Sequence, residues 1–504
     1  MKLIYGIEDK PKFKDNIVFA FQQMIAIMAA TLLVPMIMSG NATPDGTTLF
    51  FDPAAALLGA GVGTIVYLLL TKRRSPVFLG SSFTFLGAYA ATIGSGYGYW
   101  GVIIGIALAG LVYAVIALII KFVGSKWVNK LLPPIIIGPI VALIGLSLSG
   151  TATTWAMSNG GANYNLLSIL CALVTFIVIV VVSIKGSKTL KLIPFIIGIG
   201  AGYALALIFS LIGLAFPADS KAHATLTIID FSVFTNVYGA GNISFASFLD
   251  YPKFIFINAI KYPEASHIDA SSIAAIAVIF VPIAVVELAQ HIADHKNLGN
   301  IVNRDLITDP GLDKTLLGDG LGSVVGGFFG GAANTTYGES IGCVAITGNA
   351  SVSTIFLASI GCIVLSFFTP FVTIINSIPK CVMGGACIAL YGFIAVSGLQ
   401  MLKKVDLGDN RNLFTVSAIL VCGIGGLTLT FGKVSITSLA VAMIVGIITN
   451  IIAHNGKMAT GEEEEPAKDG LSAATESAVD IVVDANTTIE DKTVETSEVA
   501  EENK

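Results

Sequence analysis

Eleven stretches of about twenty mostly apolar residues follow one another near 17–39, 54–71, 100–120, 133–149, 164–184, 190–215, 271–295, 351–377, 380–401, 413–431 and 434–454. A helix needs roughly 20 such residues to cross the hydrocarbon core of a bilayer, and a long series of them reads as membrane spans. Charge agrees. Only 12% of the 504 residues are charged and 54% are hydrophobic, against roughly 25% charged in a soluble chain. So little charge cannot cover the surface of a water-soluble body. Soluble multidomain enzymes, disordered proteins and nucleic-acid binders are excluded, and the class is an all-α polytopic membrane protein.

The charge is unevenly placed. From Lys457 onward there are 14 acidic and 4 basic residues, opening with Glu462-Glu463-Glu464-Glu465. Such a stretch buries too little apolar surface to order itself, so 455–504 is expected to be a disordered acidic cytoplasmic tail, solvating or regulatory. The cysteines Cys171, Cys343, Cys362, Cys381, Cys387 and Cys422 all lie in apolar stretches without C-x-x-C spacing. They read as free, buried small hydrophobes rather than a disulfide framework. Residues 1–16 are polar and lysine-bearing with no cleavage site standing out, so no removable signal peptide is expected.

Three further segments, 76–95, 314–331 and 333–348, are apolar but interrupted, which brings the expected count to fourteen. Basic residues test it. With the N-terminus inside, 19 Lys and Arg fall in predicted inner segments, among them Lys72, Arg73, Arg74, Arg304 and Lys403, against Lys380 and Lys433 in short outer loops. Both termini are therefore expected in the cytoplasm. Seven spans over 17–215, an external connection at 216–270 and seven more over 271–454 make two halves. An odd number per half inserts the second half inverted, the arrangement of many secondary transporters.

Two segments, each third in its half, are unlike the rest. Pro76-Val-Phe-Leu-Gly-Ser-Ser-Phe-Thr-Phe-Leu-Gly and Ala333-Asn-Thr-Thr-Tyr-Gly-Glu-Ser-Ile-Gly begin with poor helix starters and then become helix-like. Non-helical backbone at membrane depth is tolerated only against protein or a polar cavity. Two facing breaks would aim half-helix N-termini at a shared midplane site; alternatively they are re-entrant loops that tighten the bundle. The glycines around 318–331 are explained by close helix packing.

Ionisable residues within spans are functional candidates by default. Glu287 and His291 stand four apart on one helix and Asp294 seven beyond Glu287, so all three share a face. Asp294 and His295, beside Lys296, read as a solvated helix end. Asp319 lies in the glycine-rich segment, and Glu339 follows Tyr337-Gly338 at the second break. With no Lys or Arg in these deep segments, His291 is the one cationic candidate near Glu287 and Glu339. These carboxylates suit a proton-coupled carrier; a structural Glu–His hydrogen bond is the plainer reading. E-x-x-x-H without a third ligand is a weak metal signal. No phosphate loop or nucleophile elbow is present, so no enzyme and no cofactor is expected.

The stretches Val286-Glu-Leu-Ala-Gln-His291, Gly318-Asp-Gly, Asn334-Thr-Thr-Tyr-Gly-Glu339-Ser-Ile-Gly342 and Ala345-Ile-Thr347 resemble the nucleobase–ascorbate transporter family, and within it the bacterial uracil permeases. The family's signature [Q/E/P]-N-x-G-x-x-x-x-T-[R/K/G] corresponds to Glu339-Ser340-Ile341-Gly342, four residues, Thr347 and Gly348. Ser340 replaces the usual Asn, and Gln22-Gln23 stands where the family has a Gln-His pair. The resemblance spans roughly 10–455.

The resemblance implies two inverted seven-span repeats forming a core and a gate domain, usually in homodimers, in a plasma membrane. It implies that Glu287 and Glu339 receive the N–H groups of a pyrimidine ring, while the backbone amides of Phe83 and Gly338 donate to its carbonyl oxygens. Phe83 and Tyr337 would supply apolar surface, Tyr391 would close the site from the gate side, and His291 would serve as proton relay or orienter. Glu at the head of the signature favours uracil, with protons as the coupling ion. A xanthine or guanine carrier is the nearest alternative; an anion exchanger of similar architecture or a non-transporting receptor is more distant.

Overall fold

The computed structural model describes residues 3–459 apart from 40, 125–126, 128–132, 162, 188, 240, 242, 263–267, 432–433 and 457. The expectation for the acidic tail falls almost wholly outside the described residues.

Those residues are mostly helical. The first half contains α1 (Phe13–Met38), α2 (Pro53–Leu70), a strand β1 (Leu79–Ser81), α3 (Leu86–Gly94), α4 (Gly98–Val123), α5 (Pro134–Ser147), α6 (Ser149–Ser158), α7 (Leu166–Lys185) and α8 (Pro194–Gly213). Three short helices follow: α9 (Lys221–Leu226), α10 (Ser232–Tyr238) and α11 (Ile255–Lys261). The second half contains α12 (Ala270–Val302), α13 (Leu312–Gly330), β2 (Asn334–Thr336), α14 (Gly338–Thr347), α15 (Val352–Ser366), α16 (Thr369–Asn376), α17 (Lys380–Met401), α18 (Asn410–Ile424), a hairpin β3 (Leu429–Phe431) and β4 (Val434–Ile436), and α19 (Ser438–Ala453).

Eight stretches are long and apolar enough to cross a membrane: α1, α2, α4, α5 with α6, α7, α8, α12 and α17. The apolar helices α15, α18 and α19 are shorter. Each of the fourteen apolar stretches contains a helix, with three differences from expectation. The segment 314–331 is not interrupted: α13 is one continuous helix, ending where Gly331 takes a left-handed cap at φ 75°. The stretch 351–377 divides into α15 and α16, because Pro370 suits a new first turn and not a helix interior. The stretch 413–431 stops being helical at Gly425-Gly426 and turns into the β3–β4 hairpin. All six cysteines are unpaired, five of them buried.

Packing falls into two groups. In one, α2 lies against α1, α13 and α15, and α4 against α12 and α13. In the other, α17 packs on α5, α6, α7 and α8, and α18 on α5 and α19. Gly59 and Gly63 of α2 meet Gly326 and Gly322 of α13, a pair of G-x-x-x-G stripes that let the two backbones touch. This bears out the packing reading of the glycines.

The connection 216–270 folds over one face and touches both groups. The Lys253 amide donates to Asp52 at 2.6 Å beside α2, and Asn159 donates to the Ile228 carbonyl at 3.2 Å beside α6. On another face the N-terminal segment pairs with the turn after α14, Ala350 N–H donating to the Tyr5 carbonyl at 2.9 Å.

Candidate functional site

The site is built on the two breaks. β1 and β2 pair antiparallel with Leu79 opposite Thr336, Gly80 opposite Thr335 and Ser81 opposite Asn334, and all six residues are buried. Each strand supplies partners that the other lacks once it leaves the helical state. Neighbouring helices complete the set. The Thr64 hydroxyl accepts from Leu79 N–H at 2.9 Å, Tyr89 from Ala333 N–H at 2.8 Å, and the Asn334 amide donates to Gly59 and Gly322 carbonyls at 3.0 and 3.2 Å. Tyr337 lays its ring over Gly80, where a Cβ would sit 2.3 Å from it, and donates to the Ser81 carbonyl at 2.7 Å. β2 then runs directly into α14, whose first amides have no intrahelical acceptor.

Ser340, the departure from the signature, sits one turn into α14. Its hydroxyl oxygen accepts from Phe78 N–H at 3.0 Å and from the Gln23 side-chain amide. Gln23 is the other departure, so the two replaced positions touch.

A cavity of about 390 Å³ opens in front of the breaks. One wall carries Ser82, Thr84, Thr335, Gly338 and Glu339 from the breaks, with Gln290 and Asp294 from α12. The opposite wall is mostly apolar: Val141 and Ile144 of α5, Phe195 of α8, and Leu390, Phe393, Ile394 and Met401 of α17, with Ser397 the one hydroxyl among them. The two walls belong to the two packing groups. Among the described residues no Lys or Arg lines this cavity, and no group of three or more His, Cys, Asp or Glu is placed to hold a metal ion.

Of the residues singled out from sequence, Phe83, Tyr337, Gly338 and Glu339 line the cavity. Glu287 lies one layer behind, 1% exposed. Ser82 donates to its Oε2 at 3.1 Å, and its Oε1 has no hydrogen-bond partner among the described residues. Tyr391 is behind the other side, its ring edge-on to Phe83 at 5.8 Å between centroids. His291 does not pair with Glu287 as the plainer sequence reading has it. Its Nδ1 lies 2.8 Å from Asp319 and its Nε2 3.1 Å from Thr315, all fully buried.

The reading of Asp294 and His295 as a solvated helix end is corrected. α12 continues to Val302, so both residues are interior. His295 is fully buried, with Nδ1 2.9 Å from the His291 carbonyl and Nε2 2.7 Å from the Tyr67 hydroxyl. Asp294 accepts from the Thr336 hydroxyl at 2.8 Å and lines the cavity. Gln290 and Asp294 stand three and seven residues beyond Glu287, so the helical face already noted was the signal for them. The hydroxyls of Ser82, Thr84 and Thr335 had none, being ordinary small polar residues of the two breaks, Thr335 within β2 and the other two just past β1.

Comparison with known proteins gives the family and the fold. A family model described as a permease family matches residues 14–432. The uracil permease of Bacillus caldolyticus is 38% identical over 454 residues, covering 90% of this chain and 95% of the relative. That of Bacillus subtilis (strain 168) is 34% identical over 472 residues, covering 92% and 98%, and that of Escherichia coli (strain K12) 32% over 451, covering 89% and 93%. Among solved structures, the fold is similar to the transmembrane domain of the cyanobacterial bicarbonate transporter BicA, with TM-score 0.54, 14% identity and coverage of 87% and 100%. It is also similar to the murine anion transporter Slc26a9, with TM-score 0.56, 12% identity and coverage of 89% and 69%. The paired breaks, the motif around Glu339 and a match over most of its length together make this chain a multi-pass membrane protein of the permease family to which the nucleobase–ascorbate transporters belong.

Proposed function

We propose that the chain imports a nucleobase, uracil, in symport with protons by alternating access. The observation that carries this is the two-faced cavity between the packing groups. Uracil is a flat ring with alternating N–H donors and C=O acceptors on one edge and C–H groups on the other. The wall of Glu339, hydroxyls and first amides of α14 suits the polar edge; the wall of α5, α8 and α17 suits the apolar one. Uracil permeases are also among the relatives that align over about nine-tenths of the chain.

In this reading Glu339 takes one ring N–H directly, and Glu287 takes the other through or beside the Ser82 and Thr84 hydroxyls. The Phe83 and Gly338 amides donate to the carbonyl oxygens, Tyr337 and Phe83 cover the ring, and Tyr391 backs Phe83 from the facing group. Protons travel with the base on Glu287 and Glu339, with His291 held by Asp319 as relay. The group containing both breaks is the core and the other the gate, sliding or rocking across the cavity. Fourteen spans in two inverted repeats, a homodimer meeting at the gates, both termini cytoplasmic and a plasma-membrane setting complete the reading. The fold relatives carry anions, but a cavity with carboxylates and no cation in its lining repels an anionic substrate.

The test is uptake of labelled uracil into proteoliposomes under an inward proton gradient, beside Glu287→Gln and Glu339→Gln. Gradient-driven accumulation in the parent, reduced at least tenfold by either substitution, is the expected result. Accumulation of xanthine but not uracil moves the substrate to the purines. Flux of chloride or sulfate, with neither base moving, overturns the assignment.

A further inference from the structure

A second cavity, of about 420 Å³, lies where α2 ends. The N-terminal segment, the turn after α2 and the start of α15 wall it. Its lining carries four cations, Lys10, Lys72, Arg73 and Arg74, against the carboxylates of Glu8 and Asp9. The frame is tied together: Val352 N–H donates to the Ile7 carbonyl at 3.0 Å, and the Ser351 hydroxyl to the Asp9 carbonyl at 2.6 Å. Lys72 and Arg73 both stand in the left-handed region, at φ 53° and 57°. Residues with a Cβ rarely adopt that conformation singly, still less in succession. The tight turn brings three consecutive cations to the edge of one cavity.

The charges around it are not balanced. Arg74 is engaged by Asp309 and Glu8 by Arg304, while Asp9 accepts from Gly6 N–H at 2.7 Å. Lys10, Lys72 and Arg73 pair with no carboxylate among the described residues. Arg73 lies 5.8 Å over the centre of the Phe356 ring, a contact that uses the face of the guanidinium and not its N–H edge. α2 is an apolar helix of 18 residues ending at Leu70, so the cavity sits where a span reaches the edge of the hydrocarbon. Leu69 and Phe356 are exposed at this end. Unpaired cations around a cavity, beside exposed apolar side chains at the bilayer edge, match a phosphate group carried on acyl chains. We propose that Lys10, Lys72 and Arg73 form a binding site for a phosphate group, that of an anionic phospholipid headgroup, which clips the N-terminal segment to the ends of α2 and α15. A soluble phosphate offers the same recognition chemistry, and the experiment separates the two sources.

The experiment follows thermal unfolding of the full-length protein in detergent at constant ionic strength. Dioctanoyl phosphatidylglycerol, dioctanoyl phosphatidylcholine and inorganic phosphate are titrated in turn. Phosphatidylglycerol should raise the unfolding midpoint saturably, and phosphatidylcholine should not. Lys72→Gln and Arg73→Gln should each raise the half-saturating concentration about fivefold, the factor that one cation contributes beside an anionic headgroup. The triple variant Lys10→Gln/Lys72→Gln/Arg73→Gln should raise it further. Lys121→Gln/Lys185→Gln, two exposed lysines at the ends of α4 and α7, should leave it within about twofold. Each variant's midpoint without additive shows separately whether its fold has suffered. A shift produced by the lipid alone supports the site and assigns it the headgroup. Inorganic phosphate that reproduces the shift, with the same dependence on the three cations, supports the site and assigns it a soluble phosphate. No saturable shift with either, an unchanged response in the triple variant, or an equal loss in the Lys121–Lys185 pair overturns the proposal.

Discussion

Ser340 and Gln23 are each a departure from the motifs the chain otherwise carries, and they lie 317 residues apart in sequence. In the fold they meet, Gln23 donating to the Ser340 hydroxyl, which also accepts from Phe78 N–H at 3.0 Å. A long amide on α1 reaching a short hydroxyl on α14 does the work of anchoring the half-helix to both α1 and the first break. Two changes that compensate should be coupled. Gln23→His and Ser340→Asn are each expected to destabilise the protein by about 1–3 kcal/mol, the cost of leaving a buried polar group badly paired. The double variant should recover much of that loss, with a coupling energy of about 0.5–3 kcal/mol in a double-mutant cycle read by thermal unfolding and by uracil binding. Strict additivity would show that the contact carries no energy. Each departure was legible from the sequence, but the contact was not, because no local periodicity links α1 to α14. His291 teaches the same lesson. Its position one turn from Glu287 suggested a pair, yet Asp319 and Thr315 on α13 take its two nitrogens.

At the level of elements, what decides the site is how closely α2 and α13 approach the strand between them. A Cβ at Gly326 would lie 2.3 Å from the Asn334 side chain, and one at Gly63 would lie 2.4 Å from it and 2.7 Å from the Gly322 carbonyl. Asn334 uses that space to bond both helices. Gly326→Ala should therefore displace Asn334 and destabilise the fold by about 1–3 kcal/mol, in spite of alanine's better helix propensity. Gly338 is the contrasting case, since a Cβ there meets nothing within 4 Å and the space in front of it is the cavity. Gly338→Ala should leave the unfolding temperature near that of the parent while weakening uracil binding. A fall in unfolding temperature as large as that of Gly326→Ala would mean that Gly338 is structural. The sequence read both breaks as extended and then helical, which is how β1, β2 and α14 are formed. It did not reveal that the strands pair, because three residues are too few for an alternation pattern and register is set by partners in the other half. Nor did it foresee a continuous α13, since glycines that lower helix propensity are there retained by packing.

Across the whole molecule, two opposite kinds of tie hold the packing groups and their connections. The segment 216–270 had no sequence rationale. In the structure two residues between its short helices bond the packing groups, Lys253 N–H donating to Asp52 in one and the Ile228 carbonyl accepting from Asn159 in the other. The basic turns were more legible. The bias of Lys and Arg placed the N-terminus, the turn at Arg74 and the turn at Arg304 on one side, and these three do meet. Asp309 sits between them, accepting from Arg74 at 3.0 Å and from Arg304 Nε at 3.1 Å, while Arg304 also reaches Glu8 at 3.4 Å. This junction ties the end of α2 to the α12–α13 turn outside the apolar spans. Arg304 first, and then Arg74, hold the Asp309 carboxyl below the ordinary carboxylate range. A carboxylate with a lowered value stabilises the folded state fully above its unfolded value, about 3.9, and loses that contribution as pH falls through the folded one. Asp309→Asn should therefore lower the unfolding temperature modestly at pH 7, because the ions are partly exposed and screened. The gap to the parent should close as the pH is taken below about 4, and also at pH 7 in high salt. A gap that persists unchanged at low pH and high salt would assign the effect of Asp309 to the shape of the turn rather than to its charge.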